Sequence, residues 1–321
     1  MRVVKLGFIV FLIAISAFVM REAVVKPAVL PAAAFISVAS STPVSPPQAT
    51  VIFGGDAFFD RLVRARIQRN GGHFVFSCLG DVLKKPDLAV VNLEGPVTEF
   101  PSVSIHSEME TPENFIFTFP TSTARLLSEE GIDVVSLGNN HILNFGFDGL
   151  TQTKKFLDEA NVAYFGAPPS EDAYYRLVRG IPLAFISFNE FEEVGSGAIV
   201  DTISSIHKAR ARGFLPIVFA HWGEEYTTPP PRVRAAAHQF VDAGAELIIG
   251  SHPNVVQERE VYQGHVIYYS LGNFIFDQYF EDAVRHGLLV SATFTPLGLF
   301  STKDIPLTLE LDGRTCPTLA E

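Results

Sequence analysis

Five apolar, strand-like runs in this chain of 321 residues each end at a side chain that binds metal ions or transfers protons. The runs are short and rich in Val, Ile, Leu and Phe, as buried β-strands are. The residues that end them are Asp56, Glu94, Asn140 with His141, His221, and His252. In an open α/β sheet, ligands bind outside the carboxyl ends of the strands. We therefore expect these side chains to meet at one end of one sheet.

Strands and helices alternate along the chain from Val51 onwards. The sequence predicts strands over 51–55, 88–93, 133–137, 162–165, 182–188, 215–220, 246–249 and 266–270. It predicts helices over 60–70, 121–130, 149–160, 201–212 and 232–243, the first with Asp60 as its N-cap. Residues 288–294 and 305–310 have the pattern of a β-hairpin or of two edge strands. This order predicts a layered α/β fold.

The first 26 residues contain a segment typical of membrane targeting. Arg2 and Lys5 precede an apolar run over 6–20, which spans about 22 Å as a helix against about 30 Å for the bilayer core. The run fits an uncleaved anchor or a cleaved signal peptide, with a buried core helix as the third alternative. We expect a single N-terminal pass in the cell membrane with the domain outside the cytoplasm, or a secreted domain if the segment is cleaved.

Composition divides the rest of the chain. Residues 27–50 are rich in Pro, Ala, Ser and Thr and are predicted to be a linker. Residues 51–311 are the predicted folded domain, and 312–321 are a predicted tail. Cys78 and Cys316 lie near opposite ends of the domain. In an exported protein they could form a disulfide or remain two free thiols.

The charge of the chain limits its partners. Lys and Arg number 24 against 35 Asp and Glu, which gives a net charge of −11. Nucleic-acid binding depends on neutralising phosphates with basic residues, so we expect no nucleic-acid partner. An anionic substrate would need a local positive feature such as a bound metal ion. The sequence contains no phosphate-binding loop, dinucleotide fingerprint, nucleophile elbow or CxxC pair.

A divalent cation suits the carboxylate, amide and imidazole groups at the strand ends. Such an ion lowers the pKa of a bound water toward about 7, and a pair of ions clamps both sides of a phosphoryl displacement. A structural role is also open for each residue alone. Asp56 could cap a helix, His221 could pack on Trp222, and His252 could rigidify the turn at Pro253. Because all of these residues lie at the ends of strands, a shared metal site is favoured over separate structural roles.

The motifs themselves resemble a known family. They are GGDAFFD, VVNLEGPVTEF, LGNNHILNFG, AHWGEEY, IIGSHPNVVQ and YYSLGNFIFDQ. Over roughly 51–295 they resemble, in order, the bacterial capsule synthesis protein CapA family, which is linked to poly-γ-glutamate capsules. That family is similar in fold to the calcineurin-like metallophosphoesterases. The resemblance implies a sandwich of mixed β-sheets flanked by helices, an anionic polymer or phosphoester substrate, and capsule synthase subunits as partners.

The resemblance also implies roles for individual residues. Asp56 resembles the first aspartate ligand, and Glu94 stands where a carboxylate bridges two metals. Asn140 resembles the amide ligand, and His141 resembles the histidine that protonates a leaving group.

His221 and His252 resemble the imidazole ligands of the second metal. The metallophosphoesterase pattern has further histidines at the positions of Phe58 and Asn254. We therefore predict one firm site for Mn, Zn, Fe or Mg and a second position that is weak or absent. The firm site keeps Glu94, Asn140, His221 and His252, and the weak one keeps Asp56, Glu94 and Asn254.

Other polar residues are predicted to line the site or to orient its ligands. They are Asn92, Asn139, Glu225, Asn273 and Arg232, the last of which fits equally the solvated face of helix 232–243. The predicted function is that of an exported, membrane-tethered, metal-dependent hydrolase of phosphoester-type bonds in capsule biosynthesis. The alternative is a non-catalytic component of a capsule synthase complex that uses the same cleft to bind or export polymer.

Overall fold

The structure is a computed structural model that describes residues 46–108, 111–169, 173–192 and 197–318. The expected membrane segment at 1–26 and nearly all of the linker at 27–50 lie outside the described residues, and both stay predictions. Among the residues that are described, no helix has the length and apolar character that crossing a membrane requires.

The described residues form two β-sheets, and the first has eight strands. They are β1 (Ala49–Ala57), β2 (Leu88–Leu93), β3 (Val134–Ser136), β4 (Ala163–Phe165), β11 (Asn273–Ile275), β12 (His286–Thr295), β13 (Gly298–Leu309) and β14 (Thr315–Pro317). Their order is β14-β13-β12-β1-β2-β3-β4, and β11 pairs with β1 outside this path. Strands β1 to β4 are parallel, whereas β12 to β14 are antiparallel.

The second sheet has six strands. They are β5 (Tyr174–Val178), β6 (Ile181–Asn189), β7 (Leu215–His221), β8 (Leu247–Ser251), β9 (Arg259–Tyr262) and β10 (His265–Tyr268). Their order is β5-β6-β7-β8-β10-β9, with β6, β7, β8 and β10 parallel. Strand β8 is buried at every residue, as expected for a parallel strand whose two faces are both covered.

Five α-helices flank the sheets in the described part of the chain. They are α1 (Arg61–Asn70), α2 (Ser122–Glu129), α3 (Gly146–Glu159), α4 (Gly197–Ala211) and α5 (Pro231–Asp242). One apolar core lies between the two sheets, with side chains such as Phe53 and Phe185. A second core lies between the first sheet and α1 to α3, and a third between the second sheet and α4 and α5. The expected arrangement of mixed sheets flanked by helices is confirmed.

The strand ends that carry the polar residues belong to both sheets. Strands β1, β2 and β3 are in the first sheet, and β7 and β8 are in the second. The expectation of a single sheet was therefore wrong. The two sets of ends nevertheless meet across the sandwich, because the backbone N–H of His252 donates a hydrogen bond to Asp56 Oδ2 over 3.0 Å.

Asp60 does not cap α1 with its side chain, contrary to expectation. Its buried carboxylate instead accepts hydrogen bonds from the hydroxyls of Ser102 and Ser104, the Thr118 N–H and Arg64 Nε. The residue therefore anchors the long loop between β2 and α2. Sequence spacing could not show this, because three of the four partners lie more than 40 residues away.

Residues 312–318, which belong to the predicted tail, are tied to the folded domain. Within 312–321, β14 pairs with β13, and Cys316 on β14 forms a disulfide with Cys78 across a sequence separation of 238 residues. Strands β5, β9 and β11 also lie outside the predicted set. Strand β9 has no buried residue, and β11 has only three residues, so neither produces a clear apolar period.

Candidate metal centre

Three buried side chains form the centre of the site. Glu94, His221 and His252 each offer one ligand atom, and these atoms lie within 4.8 Å of one another. Glu94 Oε2 and His252 Nδ1 are buried and have no hydrogen-bond partner. Buried polar atoms without partners are costly. A cation bound between these groups would satisfy both atoms, so the residues fit a metal ion.

Asn140 joins this group from the loop that follows β3. Its Oδ1 lies 2.9 Å from His221 Nε2. Two ligands of one ion at metal distances of about 2.0–2.2 Å are separated by about 3 Å. The amide is therefore as close to the imidazole as two neighbours in one coordination sphere would be.

Asp56 lies directly behind this group and is fully buried. Its Oδ1 accepts a hydrogen bond from Asn92 Nδ2 over 2.7 Å and lies 4.0 Å from His221 Nδ1. Asp56 is not among the three residues whose ligand atoms lie closest together. Its carboxyl group therefore adjoins the closest group of ligand atoms without belonging to it.

The buried carboxyl groups of Asp56 and Glu94 each make ionisation of the other less favourable. Burial raises the pKa of Asp56 to about 6, although the hydrogen bonds from Asn92 and His252 act to lower it. Burial and then the negative charge of Asp56 raise the pKa of Glu94 well above its usual range. Like charges this close are seldom both ionised without a counter-charge. A cation at this point would replace the proton that the pair otherwise retains.

The imidazoles are held in their neutral form, which is the form that binds metals. Burial, followed by the charges of His252 and His141, lowers the pKa of His221 well below its usual range. Burial also lowers the pKa of His252 to about 4. These rings therefore need not lose a proton at neutral pH before they bind an ion.

His141 lies beside the ligands and contacts Asn140. Its Nε2 is 3.2 Å from Asn140 Nδ2, and its Nδ1 is 3.1 Å from Asn144 Oδ1. With Nδ1–H donating to Asn144, Nε2 accepts from Asn140 and carries no proton. Burial lowers the pKa of His141 to about 4. This arrangement keeps the ring neutral near pH 7, and the expected role as proton donor stays a prediction.

Asn92 and Asn139 brace the site without being among its closest ligand atoms. Asn139 Nδ2 donates to Asn92 Oδ1 over 3.0 Å and to the Leu93 carbonyl over 2.8 Å. Asn139 Oδ1 accepts from the His141 N–H over 3.1 Å. These bonds tie the ends of β2 and β3 together, and the role of both residues in lining the site or orienting its ligands stays a prediction.

The second predicted position has oxygen donors only. Asn254 is buried with φ +59°, and its Oδ1 has no hydrogen-bond partner. Asn273, the register partner of Asp56 on β11, also has a partnerless Oδ1. Phe58, which replaces a histidine, instead stacks on Phe276 with ring centroids 4.6 Å apart. This side of the site therefore lacks imidazole, as the sequence predicts.

Glu225 is exposed but faces the buried carboxylates. Its negative charge contributes to the raised pKa of both Asp56 and Glu94. It is hydrogen-bonded to Tyr226, whose hydroxyl accepts a bond from Gln278 Nε2 over 3.0 Å. Sequence reasoning missed Tyr226 and Gln278. Both lie within the recognised motifs, and only the fold brings them together.

Arg232 does not contact the predicted ligands. Its Nε donates to Glu190 over 2.8 Å and its Nη1 donates to Glu224 over 3.0 Å. These ion pairs occupy the guanidinium at the start of α5. The alternative interpretation, a charged helix face, describes its surroundings better.

A cavity of about 730 Å³ adjoins the candidate metal ligands. Its lining includes Asn140, Asn189 and Phe191, together with α4 residues such as Ser205. The Phe191 ring also packs against His252, with centroids 4.3 Å apart. A ligand in this cavity would therefore lie next to the proposed metal ligands. The size is that of a typical small-molecule pocket.

Comparison with known proteins finds a matching family profile and similar proteins. Residues 50–278 match the sequence profile described as "Bacterial capsule synthesis protein PGA_cap". The chain is 32% identical over 249 residues to the "Capsule biosynthesis protein CapA" of Bacillus anthracis, covering 71% of this chain and 60% of that protein. It is 29% identical over 246 residues to the "PGA biosynthesis protein CapA" of Bacillus subtilis strain 168, covering 70% and 63%.

These matches span less than two thirds of the length of either relative. The profile match includes every strand end that carries a proposed metal ligand, because it begins within β1 and extends beyond Asn273. The profile covers well over half of the chain, and the resemblance read from the motifs is confirmed. The chain therefore belongs to the bacterial capsule synthesis protein PGA_cap family.

Proposed function

We propose that this protein is a divalent-metal-dependent hydrolase of phosphoester-type bonds that acts in the biosynthesis of a capsule polymer, poly-γ-glutamate or a similar polyanion. The observation that carries the proposal is the buried group of Glu94, His221 and His252, whose ligand atoms lie within 4.8 Å of one another. The names of its relatives support the capsule context, since they are called capsule and PGA biosynthesis proteins.

The residues that would hold the ion are Glu94, Asn140, His221 and His252. Bound there, a divalent ion such as Mn, Zn, Fe or Mg would supply a Lewis acid for a phosphoryl oxygen. The hydrogen bonds from Asn92 and from the His252 N–H keep the Asp56 carboxylate in place behind the ligands. His141 lies beside Asn140, and its assigned role is the transfer of a proton to the leaving group, as the family resemblance implies.

The adjoining cavity would accommodate the part of the substrate that does not react. Its walls combine apolar residues such as Leu143 and Phe147 with polar ones such as Asn189 and Ser204. Walls of this mixed character suit an elongated chain with both methylene and amide groups.

The test combines metal analysis with an activity screen on one preparation. We expect about one tightly held divalent ion per chain and hydrolysis of a generic aryl phosphate. His252→Ala should lose both the ion and the activity. His73→Ala is the matched control, because the His73 side chain is 68% exposed and pairs with Glu130 beside the end of α2. Absence of metal from wild-type protein after exposure to Mn²⁺, Zn²⁺ and Fe²⁺ would refute the proposal.

A non-catalytic role in polymer binding or export is the second candidate. Phe58 and Asn254 favour it, because they stand in place of two imidazole ligands and leave the second metal position without nitrogen donors. In that case the protein would bind metal and polyglutamate, and no divalent ion would support turnover. Substitution of His141 by Ala would then leave polymer binding unchanged, since that residue would have no proton to transfer.

We further propose that the domain is exported and tethered to the membrane by residues 1–26. The disulfide between Cys78 and Cys316 supports export, because such bonds persist mainly outside the cytoplasm. Protease added to intact spheroplasts should digest the folded domain. Protection of the domain until the membrane is broken would contradict this location.

A further inference from the structure

Arg61 stands on an aromatic platform beside the metal-binding residues. Its guanidinium carbon lies 4.7 Å from the ring centroid of Phe58, 5.0 Å from that of Phe117 and 6.0 Å from that of Phe276. Its backbone has φ +45°, an uncommon value for a residue other than glycine. Such backbone strain persists only where surrounding structure enforces it, and it is concentrated at functional sites.

Polar contacts hold the guanidinium in one orientation. Nε and Nη2 donate to the two oxygens of Asp277 over 3.1 and 2.6 Å. Nη1 donates to Asn114 Oδ1 over 3.1 Å. The Arg61 side chain is 16% exposed, whereas that of Asp277 is 4% exposed. The carboxylate is thus the more deeply buried partner, and part of the guanidinium remains accessible.

The guanidinium is close to the site residues. The Phe117 ring, on which it stacks, also contacts His141 with centroids 4.3 Å apart. Phe58, another ring under the guanidinium, follows Asp56 by two residues. Two of the rings on which Arg61 stacks therefore border the site residues.

We propose that Arg61 forms an oxyanion-binding site beside the metal centre and binds a phosphate or carboxylate group of the substrate. It supplies fixed positive charge on the same side as Phe58, where the histidine of a second metal position is missing. A planar guanidinium binds oxyanions with directed, charge-assisted hydrogen bonds. The identity of the reaction rests on the proposed function, whereas the binding of an oxyanion by Arg61 does not depend on it.

The experiment measures oxyanion binding directly. Inorganic phosphate and, separately, L-glutamate are titrated by calorimetry into the full-length protein, both loaded with Mn²⁺ and free of metal. Arg61→Gln should weaken binding of the preferred oxyanion by about 10- to 100-fold. Arg61→Lys should weaken it less, because the charge remains without the planar fork. The comparison of phosphate with glutamate identifies which oxyanion the site prefers.

Two further variants guard against a folding artefact. Arg66→Gln removes an equal charge from α1 at a partly buried residue that contacts the Leu311 carbonyl, so binding should not change. Asp277→Asn leaves the guanidinium without its carboxylate partner, so oxyanion binding should be kept or strengthened. Thermal unfolding monitored by circular dichroism shows which variants are folded.

The outcomes separate this inference from the proposed function. Failure of wild-type protein to bind Mn²⁺ refutes the metal centre alone. The Arg61 site is refuted if wild-type protein binds neither oxyanion in either state, or if the folded Arg61 variants bind as tightly as wild type. It is also refuted if Asp277→Asn abolishes binding while the protein stays folded.

Discussion

Metal binding should displace protons from the buried carboxyl pair. Burial and the charge of Asp56 raise the pKa of Glu94 well above its usual range, and burial raises the pKa of Asp56 to about 6. An ion would bind Glu94 only when that carboxyl group is ionised, and its positive charge would also favour ionisation of the adjacent Asp56. The lowered pKa values of His221 and His252 mean that the imidazoles contribute no protons near neutrality. The released protons must therefore come from the carboxyl groups.

The number of protons follows from these values. At pH 6, Asp56 is about half protonated and releases about 0.5 proton, and at pH 7 it releases about 0.1. Glu94 adds up to one more at every pH below its raised pKa. Metal affinity should rise with pH by up to about tenfold per unit for each proton released. The apparent dissociation constant for Mn²⁺ should thus fall steadily between pH 6 and pH 8.

The assay is isothermal titration of Mn²⁺ in pairs of buffers that differ in ionisation enthalpy, which gives the proton count directly. The Glu94→Gln variant should bind Mn²⁺ more weakly. It should also lose the protons that the Glu94 carboxyl group releases at pH 7. Glu159→Gln changes an exposed residue on α3 and should behave as wild type. An affinity that is independent of pH, or proton release unchanged in Glu94→Gln, would show that the carboxyl pair is not the binding site.

Three other predictions concern stability. In metal-free protein, burial lowers the pKa of His252 to about 4. As pH falls, His252 therefore binds a proton in the unfolded state before it does so in the folded state. The stability that depends on a neutral His252 is complete above pH 6.5 and is lost toward pH 4. Wild type should lose about 2 kcal/mol more than His252→Gln between pH 7.5 and pH 5, and equal losses in urea unfolding would contradict this. Cys316→Ser opens a cross-link that spans 238 residues and should cost about 3–5 kcal/mol in the same assay, whereas a cost below about 1 kcal/mol would mean that the bond adds little. Asp60→Asn removes a buried charge that accepts four hydrogen bonds and should cost about 2–3 kcal/mol. It should also speed proteolysis within the loop at 99–120, and unchanged proteolysis would mean that Asp60 does not anchor this loop.

The order of the elements could be predicted from the sequence because it depends on local periodicity. Apolar runs such as 88–93 form strands wherever both faces are covered, and β2 has these same bounds in the structure. Helix bounds differ from the predictions by only a few residues, as at α2 and α5. Edge strands such as β9 were not predicted, because a strand without a buried face has no apolar periodicity.

The candidate site was only partly predictable. The sequence shows which residues follow apolar strands, and this position alone singles out Glu94, His221 and His252 as candidate ligands. It could not show that these strands belong to two sheets, because strand pairing depends on hydrogen bonds between distant segments. Arg61 and Tyr226 were missed for a related reason, since neither follows an apolar strand directly.

By itself, then, the sequence determined the types of ligand and their places along the chain, because side-chain chemistry and local apolar period are properties of short segments. Only the tertiary structure decided that the ligands converge across a sandwich and that Arg61 lies beside them on aromatic rings. It also decided that the chain end is bonded to Cys78. These features are contacts between residues far apart in the chain, and they exist only when the cores between and outside the two sheets are packed.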